Sequence, residues 1–112
     1  MRDLSEIRNE IDSVDAEIVA LYEKRMRLAE QVAEYKISTG KKVLDKEREK
    51  SKSDKIKEIA TTDITKCGVT ELFEQIMAMS RKRQYQMLTE HGILDKPGFD
   101  AVEKLPVKKA KI

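Results

Sequence analysis

Two basic residues, Arg25 and Lys36, lie within a long apolar stripe near the start of the chain. Apolar side chains recur there at alternating spacings of three and four, which indicates one face of an α-helix. The stripe comprises Leu4, Ile7, Ile11, Val14, Ile18, Leu21, Leu28, Val32 and Tyr35. Arg25 occupies the position between Leu21 and Leu28. Lys36 follows eleven residues later, so on a helix their Cα atoms would be ~16 Å apart along one face.

A guanidinium in an apolar stripe needs a counterion, because an unmatched buried ion costs several kcal/mol. Either a protein carboxylate or an anionic ligand must therefore neutralise the charge of Arg25. Taken alone, Arg25 is more often paired with an acid of a neighbouring helix, and Lys36 more often extends to solvent. Together, the two cations are suited to holding a small anionic molecule between them.

Arg8, at the edge of the same stripe, is a third candidate. It would lie ~25 Å from Arg25 along a helix, too far to serve the same pocket in its own chain. In an antiparallel dimer, Arg8 of one chain could reach the Arg25 region of the other. By itself, an arginine such as Arg8 is more often an i,i+4 surface partner, here of Asp12.

Further polar residues fall at helical spacing later in the chain. Asp45, Arg48 and Glu49 in "DKERE" project from one helix face, although Asp45 could simply cap the helix and the others form a solvated ion pair. Ser80 and Gln84 lie four apart on an otherwise apolar face, where they need hydrogen-bonding partners. A core hydrogen bond or a helix contact would satisfy them as well as a ligand.

The elements that carry these residues are three helices, which predicts an all-α fold with one long and two shorter helices. We expect the first from about Asp3 to Thr39, the second from about Asp45 to Ala60 and the third from about Val69 to His91. The stretch "TTDITKCG" reads as a turn with several competing side-chain caps. Residues 1–91 form the predicted domain, and residues 92–112 a tail that is loosely ordered or packed as an appendage.

The length of the first helix predicts a homodimer. Some 36 residues make a rod of ~50 Å, and two shorter helices cannot cover so long an apolar stripe. A second copy of the chain would cover it most economically.

The bulk properties narrow the class of protein further. Of the 112 residues, 39% are charged and 4% aromatic, which suits long charged helices, and the net charge of +2 implies no polyanion-binding surface. "KKAK" near the end is the only hint of nucleic-acid binding, and such runs are usually solvated. The single Cys67, the absence of an apolar leader and the absence of a membrane-length apolar run predict a soluble, cytoplasmic protein. His91 and Cys67 are better read as structural, and no metal-binding or nucleophilic constellation is present.

The ordered set Arg8, Arg25, Lys36, "VLDKERE", Ser80 and Gln84 resembles the all-helical class of chorismate mutases over residues 4 to about 88. The resemblance implies conversion of chorismate to prephenate by an intramolecular [3,3] rearrangement in phenylalanine and tyrosine biosynthesis. It implies an intertwined helical homodimer, no cofactor and no metal. The tail could be a leftover, a lid over the helices of the partner subunit, or a docking arm for another enzyme of aromatic biosynthesis.

The resemblance also implies roles for one group of residues around the breaking bond. Arg25 and Arg8 of the partner subunit would clamp substrate carboxylates. Lys36 and Gln84 would donate hydrogen bonds to the ether oxygen. Because a glutamine amide donates without titrating, the activity should not demand acidic conditions.

A second group would hold the ring end of the substrate. By the same resemblance, Glu49 and the backbone near Asp45 would hold the ring hydroxyl. Arg48 and Ser80 would support the ring carboxylate. Asp45 itself would chiefly cap the second helix.

One segment departs from the family pattern. From Lys46 to Lys55 the chain contains no apolar residue, whereas relatives usually bury aliphatic side chains near Lys52 and Ser53. We therefore expect a weakly anchored second helix, with part of the site loosely ordered without ligand.

Two other functions fit the same residues. An isochorismate pyruvate lyase on this scaffold would use a similar cationic pocket. A non-catalytic helical dimerisation or regulatory module would instead neutralise Arg25 and Lys36 with its own acids.

Overall fold

The computed structural model describes residues 1–93, which form three α-helices and, over that range, no strand. They are α1 (Leu4–Thr39), α2 (Lys46–Ile59) and α3 (Asp63–Glu90). The all-α prediction is confirmed. The tail was expected from residue 92, and residues 94–112 lie outside the described range. None of the helices within residues 1–93 combines the length and apolar character needed to cross a membrane.

The two ends of α1 agree with the sequence signals. Asp3 is the N-cap, and its carboxylate accepts a hydrogen bond from the backbone N–H of Ser5. Gly40 ends the helix with a φ of 76°, a left-handed conformation that glycine adopts without a Cβ clash. Every residue from 1 to 20 is exposed in the single chain, so the N-terminal half of α1 projects beyond the packed part of the molecule.

The third helix begins at Asp63, six residues before the predicted start at Val69. Thr62 and Thr65 form a reciprocal capping box, in which each side chain accepts from the other residue's backbone N–H. The hydroxyl groups of the predicted turn thus start the helix. Gly68 lies within the helix, where glycine costs roughly 1 kcal/mol relative to alanine.

The small core lies where the C-terminal halves of α1 and α3 meet. Ala33, Val43, Tyr85 and Leu88 form the buried cluster, against which Ile93 and two further side chains pack. The small side chain of Ala33 allows α3 to approach α1 closely. Ile93 shows that the chain just after α3 folds back onto this core.

The second helix packs only on α3. Asp45 is its N-cap, accepting a hydrogen bond from the backbone N–H of Arg48 at 3.0 Å, and none of its residues is buried. At its far end, the Lys66 ammonium donates to the carbonyl oxygens of Lys57 and Ala60. Within the described residues α1 and α2 do not pack on each other, so a gap remains between them above α3.

Candidate active site

A cleft of about 310 Å³ fills the gap between α1, α2 and α3. Its walls are lined by Arg25, Leu28, Ala29, Val32, Lys36, Val43, Asp45, Arg48, Glu49, Lys52, Met77, Ser80, Arg81 and Gln84. Seven of the eight predicted site residues are in this set, and Arg8 is the exception. Five of the lining side chains are cationic and two are carboxylates, so the cleft is suited to a small anion.

Arg25 reaches the cleft from α1 and is partly buried. Burial is the main cause that lowers the pKa of its guanidinium, followed by the positive charge of Arg48, while Glu49 and Tyr22 act in the opposite direction. Arg25 forms no ion pair with any carboxylate of residues 1–93. Within one chain, no acid of residues 1–93 therefore neutralises Arg25 in the way that the helical module requires.

Lys36 is fixed at the end of the cleft where α1 leads into the connection to α2. Its ammonium donates to the carbonyl oxygen of Val43 at 2.6 Å, and Val43 is only 2% exposed. An ammonium carries three N–H donors. The bond to Val43 therefore orients the group while it lines the cleft.

Ser80 and Gln84 form the polar part of the α3 wall. The Gln84 side-chain amide donates to the Ser80 hydroxyl at 3.1 Å, and Gln84 is only 6% exposed. The amide oxygen of Gln84 is buried and has no hydrogen-bond partner among the described residues. Such an oxygen costs about 1–3 kcal/mol of desolvation, which a neutral donor from a ligand or water would recover. The amide nitrogen has two N–H donors and uses one on Ser80, so the second can serve the contents of the cleft that Gln84 lines.

Glu49 and Arg81 form an ion pair across the cleft, from α2 to α3. The carboxylate and the guanidinium approach to 2.5 Å, with side-chain exposures of 26% and 29%. Sequence reasoning missed Arg81, although it lies four residues after Met77 and three before Gln84 and so shares their helix face. The pair fixes the carboxylate of Glu49 and ties α2 to α3 at the site.

Arg48 and Lys52 lie one helical turn apart on the α2 wall. The pKa of the Lys52 ammonium is lowered, chiefly by the positive charge of Arg48, then by burial and by the charges of Arg25 and Lys55. From the sequence, Lys52 is distinguished only as a position that lacks the aliphatic side chain usual in relatives. Its position seven residues after Asp45 was the available sign that it shares the face of the site residues.

Arg8 lies on the projecting half of α1, exposed and outside the cleft. It does not pair with Asp12, or with any other carboxylate of residues 1–93. Over the same range no three His, Cys, Asp or Glu side chains are grouped so that they could hold a metal ion.

Comparison with known proteins agrees with this geometry. Residues 7–85 match the model of the family described as chorismate mutase type II. The chain belongs to this family, which confirms the resemblance read from the sequence.

Two curated proteins are similar to the chain. The chorismate mutase of Methanocaldococcus jannaschii is 33% identical over 88 residues, which cover 78% of this chain and 89% of that protein. The bifunctional chorismate mutase/prephenate dehydratase of Buchnera aphidicola subsp. Schizaphis graminum is 33% identical over 89 residues, or 79% of this chain. The match spans only 23% of the Buchnera protein. No solved structure shows significant similarity to the chain.

Proposed function

We propose that this chain is a chorismate mutase, an isomerase that converts chorismate to prephenate on the route to phenylalanine and tyrosine. The observation that carries the proposal is Arg25, a partly buried cation without a carboxylate partner in a cationic cleft of a type II family member. The substrate is a dianion, and it supplies the missing negative charge.

The reaction needs a shaped, polar site rather than a nucleophile. Within one molecule the ether carbon–oxygen bond breaks, a carbon–carbon bond forms, and the double bonds shift with them, so no proton or electron leaves. Negative charge grows on the ether oxygen as the bond lengthens. Donors already positioned at that oxygen stabilise the transition state more than the ground state.

Lys36 and Gln84 are the proposed donors to the ether oxygen. The hydrogen bond to Val43 holds the Lys36 ammonium, and the bond to Ser80 holds the Gln84 amide, so both groups are oriented before the substrate arrives. An orientation fixed in advance needs no rearrangement during the reaction.

Protein contacts to the carboxylates and the hydroxyl of the substrate hold its side chain folded over the ring. Holding this conformer accelerates the reaction through orientation. Arg25 and Arg8 of the partner subunit clamp one carboxylate, and Arg48 with Ser80 supports the other. Glu49, aided by the backbone near Asp45, accepts a hydrogen bond from the ring hydroxyl. Arg81 keeps the Glu49 carboxylate in place.

We also propose a homodimer. The nine residues of the α1 stripe are 36–66% exposed in the single chain, and they form an apolar face, interrupted at Arg25, that a second copy would bury. Arg8 lies at the edge of this face. An antiparallel partner would therefore bring its Arg8 toward this chain's cleft and bury the stripe in the same step.

We place the protein in the cytoplasm. The single Cys67 is exposed and unpaired, which suits a reducing compartment.

A chorismate-consumption assay on the purified chain, run beside sedimentation, tests the proposal. We expect loss of chorismate, equimolar prephenate and a sedimenting mass of two chains. Turnover of isochorismate to salicylate and pyruvate, with chorismate untouched, would assign the lyase reaction instead. A chain that turns over neither compound overturns the enzyme proposal.

The dimer has its own test, based on mixed subunits. Chains carrying Arg8→Ala and chains carrying Arg25→Ala should each be nearly inactive. If each cleft uses Arg8 of the partner subunit, mixing them after partial unfolding regenerates one intact site per heterodimer. Recovery of about a quarter of the wild-type activity is expected from random pairing. No recovery would contradict a shared site.

A further inference from the structure

Lys52 lies in the cleft but has no role in the family pattern described above. It shares one face of α2 with Asp45, Arg48 and Glu49, at spacings of three and four residues, and it is partly buried. A lysine at such a position either extends to solvent beside the site or contributes a charge to it.

The charges around Lys52 distinguish these alternatives. Lys52 forms no ion pair with a carboxylate of residues 1–93. The two acids lining the cleft are engaged elsewhere, since Glu49 binds Arg81 and Asp45 caps α2. Lys50, on the same helix, is by contrast a surface lysine that pairs with Asp54 at 3.4 Å.

The cations nearest Lys52 repel it. Arg48 and Lys55 act from α2, and Arg25 acts across the cleft from α1, and together with burial they lower the pKa of the Lys52 ammonium. The positive charge of Arg48 acts on Arg25 as well, since burial and Arg48 lower the pKa of the Arg25 guanidinium. Arg25, Arg48 and Lys52 all line this cleft, and none of them pairs with a carboxylate of residues 1–93, so anionic groups of a ligand placed among them would stabilise all three.

We infer that Lys52 and Arg48 form a two-cation subsite on α2 that binds one carboxylate group of the ligand in the cleft, opposite the carboxylate that Arg25 binds. This inference rests on the proposed function for the identity of that ligand, a compact dicarboxylate. Lys52 is then a substrate-binding residue. Because a carboxylate is present in both the ground state and the transition state, the contact strengthens the binding of both.

The test compares three variants of α2. Lys52→Met removes the charge and keeps an unbranched chain of similar helix propensity. Lys50→Met makes the same change on the same helix outside the cleft, and Lys52→Arg keeps the charge. Each is assayed with chorismate at low salt, and each is titrated calorimetrically with prephenate, a dicarboxylate that does not rearrange further.

For Lys52→Met we expect KM for chorismate and Kd for prephenate to rise about tenfold, with kcat within about twofold of wild type. Lys50→Met should change both constants less than twofold, and Lys52→Arg should restore most of the affinity. Added salt should weaken wild-type binding more than that of Lys52→Met. Equal KM and Kd for Lys52→Met and Lys50→Met would overturn the subsite.

The prephenate titration separates this inference from the proposed function. A wild-type chain that binds prephenate without turning over chorismate would refute the mutase activity, and the loss of binding in Lys52→Met would still support the subsite. A wild-type chain that binds neither compound would refute both.

Discussion

The two walls of the cleft are held in place by different forces. Arg25 and Lys36 lie on α1, whose C-terminal half packs on α3 through the buried cluster of Ala33, Val43, Tyr85 and Leu88. The opposite wall, α2, buries none of its residues. At the site it is tied to α3 by the ion pair between Glu49 and Arg81.

This difference separates a fixed wall from an adjustable one. Apolar packing holds Arg25 and Lys36 whether or not a ligand is present, which suits groups that must be oriented in advance. A helix that buries none of its residues and is tied at the site by a partly exposed ion pair opens locally at low free-energy cost. Ligand binding to Arg48, Glu49 and Lys52 should therefore stabilise α2 more than α1.

The largest effect is expected at Arg25, on the fixed wall. Replacing Arg25 by Met should lower kcat/KM by roughly 10²–10³-fold, because a charged contact to the reacting substrate is lost. The melting temperature should stay the same or rise, since burial disfavours the unpaired guanidinium. Arg27→Met, an exposed neighbour on α1, is the matched control. A lower melting temperature with unchanged turnover would mean that Arg25 has a structural role.

Gln84 lies on α3, which also packs on α1. Its side chain determines how we expect kcat to depend on pH. Wild-type kcat should vary little between pH 5 and 8, because an amide donates without a titrating proton. Gln84→Glu should lose about 10²-fold in kcat at pH 8 and regain activity as the pH falls, since only the protonated carboxyl donates. A steep wild-type loss in this range, in a chain shown to be folded by circular dichroism, would contradict the role of Gln84.

The attachment of α2, the adjustable wall, is tested by removing, one at a time, two ion pairs that α3 forms with its neighbours. Arg81→Met removes the tie to α2, whereas Arg83→Met removes a pair with Glu30 of α1, at 2.8 Å. Because apolar packing already holds α1, we expect about a tenfold loss of kcat/KM for Arg81→Met and less than twofold for Arg83→Met. Amide hydrogen exchange should accelerate in residues 46–59 of Arg81→Met alone. Equal effects of the two substitutions would remove the distinction between the walls.

The sequence predicted the features that local chemistry decides. Asp3 and Gly40 bound α1 because capping and a left-handed glycine act within a few residues. The start of α3 was misplaced because Thr62 and Thr65 favour a turn or a cap almost equally until the flanking helices are packed. The Glu49–Arg81 pair could not be predicted from the sequence, because it joins residues 32 positions apart through tertiary contacts.

The ordered set of polar residues, read as a family resemblance, contains seven of the nine polar side chains that line the cleft. Lys52 and Arg81 are the other two, and neither belongs to the set of residues on which the resemblance rests. Whether a lysine on a polar helix faces a site or the solvent depends on the angle at which that helix packs, which periodicity does not fix.

The smallest effect concerns the stability of the adjustable wall at high pH. The pKa of Lys52 is lower in the folded chain than its ordinary value of 10.5, so its charged form destabilises the native state. This penalty is present in full below the folded-state pKa. It fades as the pH rises, because the unfolded chain then binds more protons than the folded one, and it vanishes above 10.5, where both forms are neutral. Lys52→Met should thus be slightly more stable than Lys50→Met in urea unfolding at pH 7, and the gap should close by about pH 11. A gap that persists unchanged at pH 11 would mean that side-chain packing, and not charge repulsion, sets the difference between the two variants.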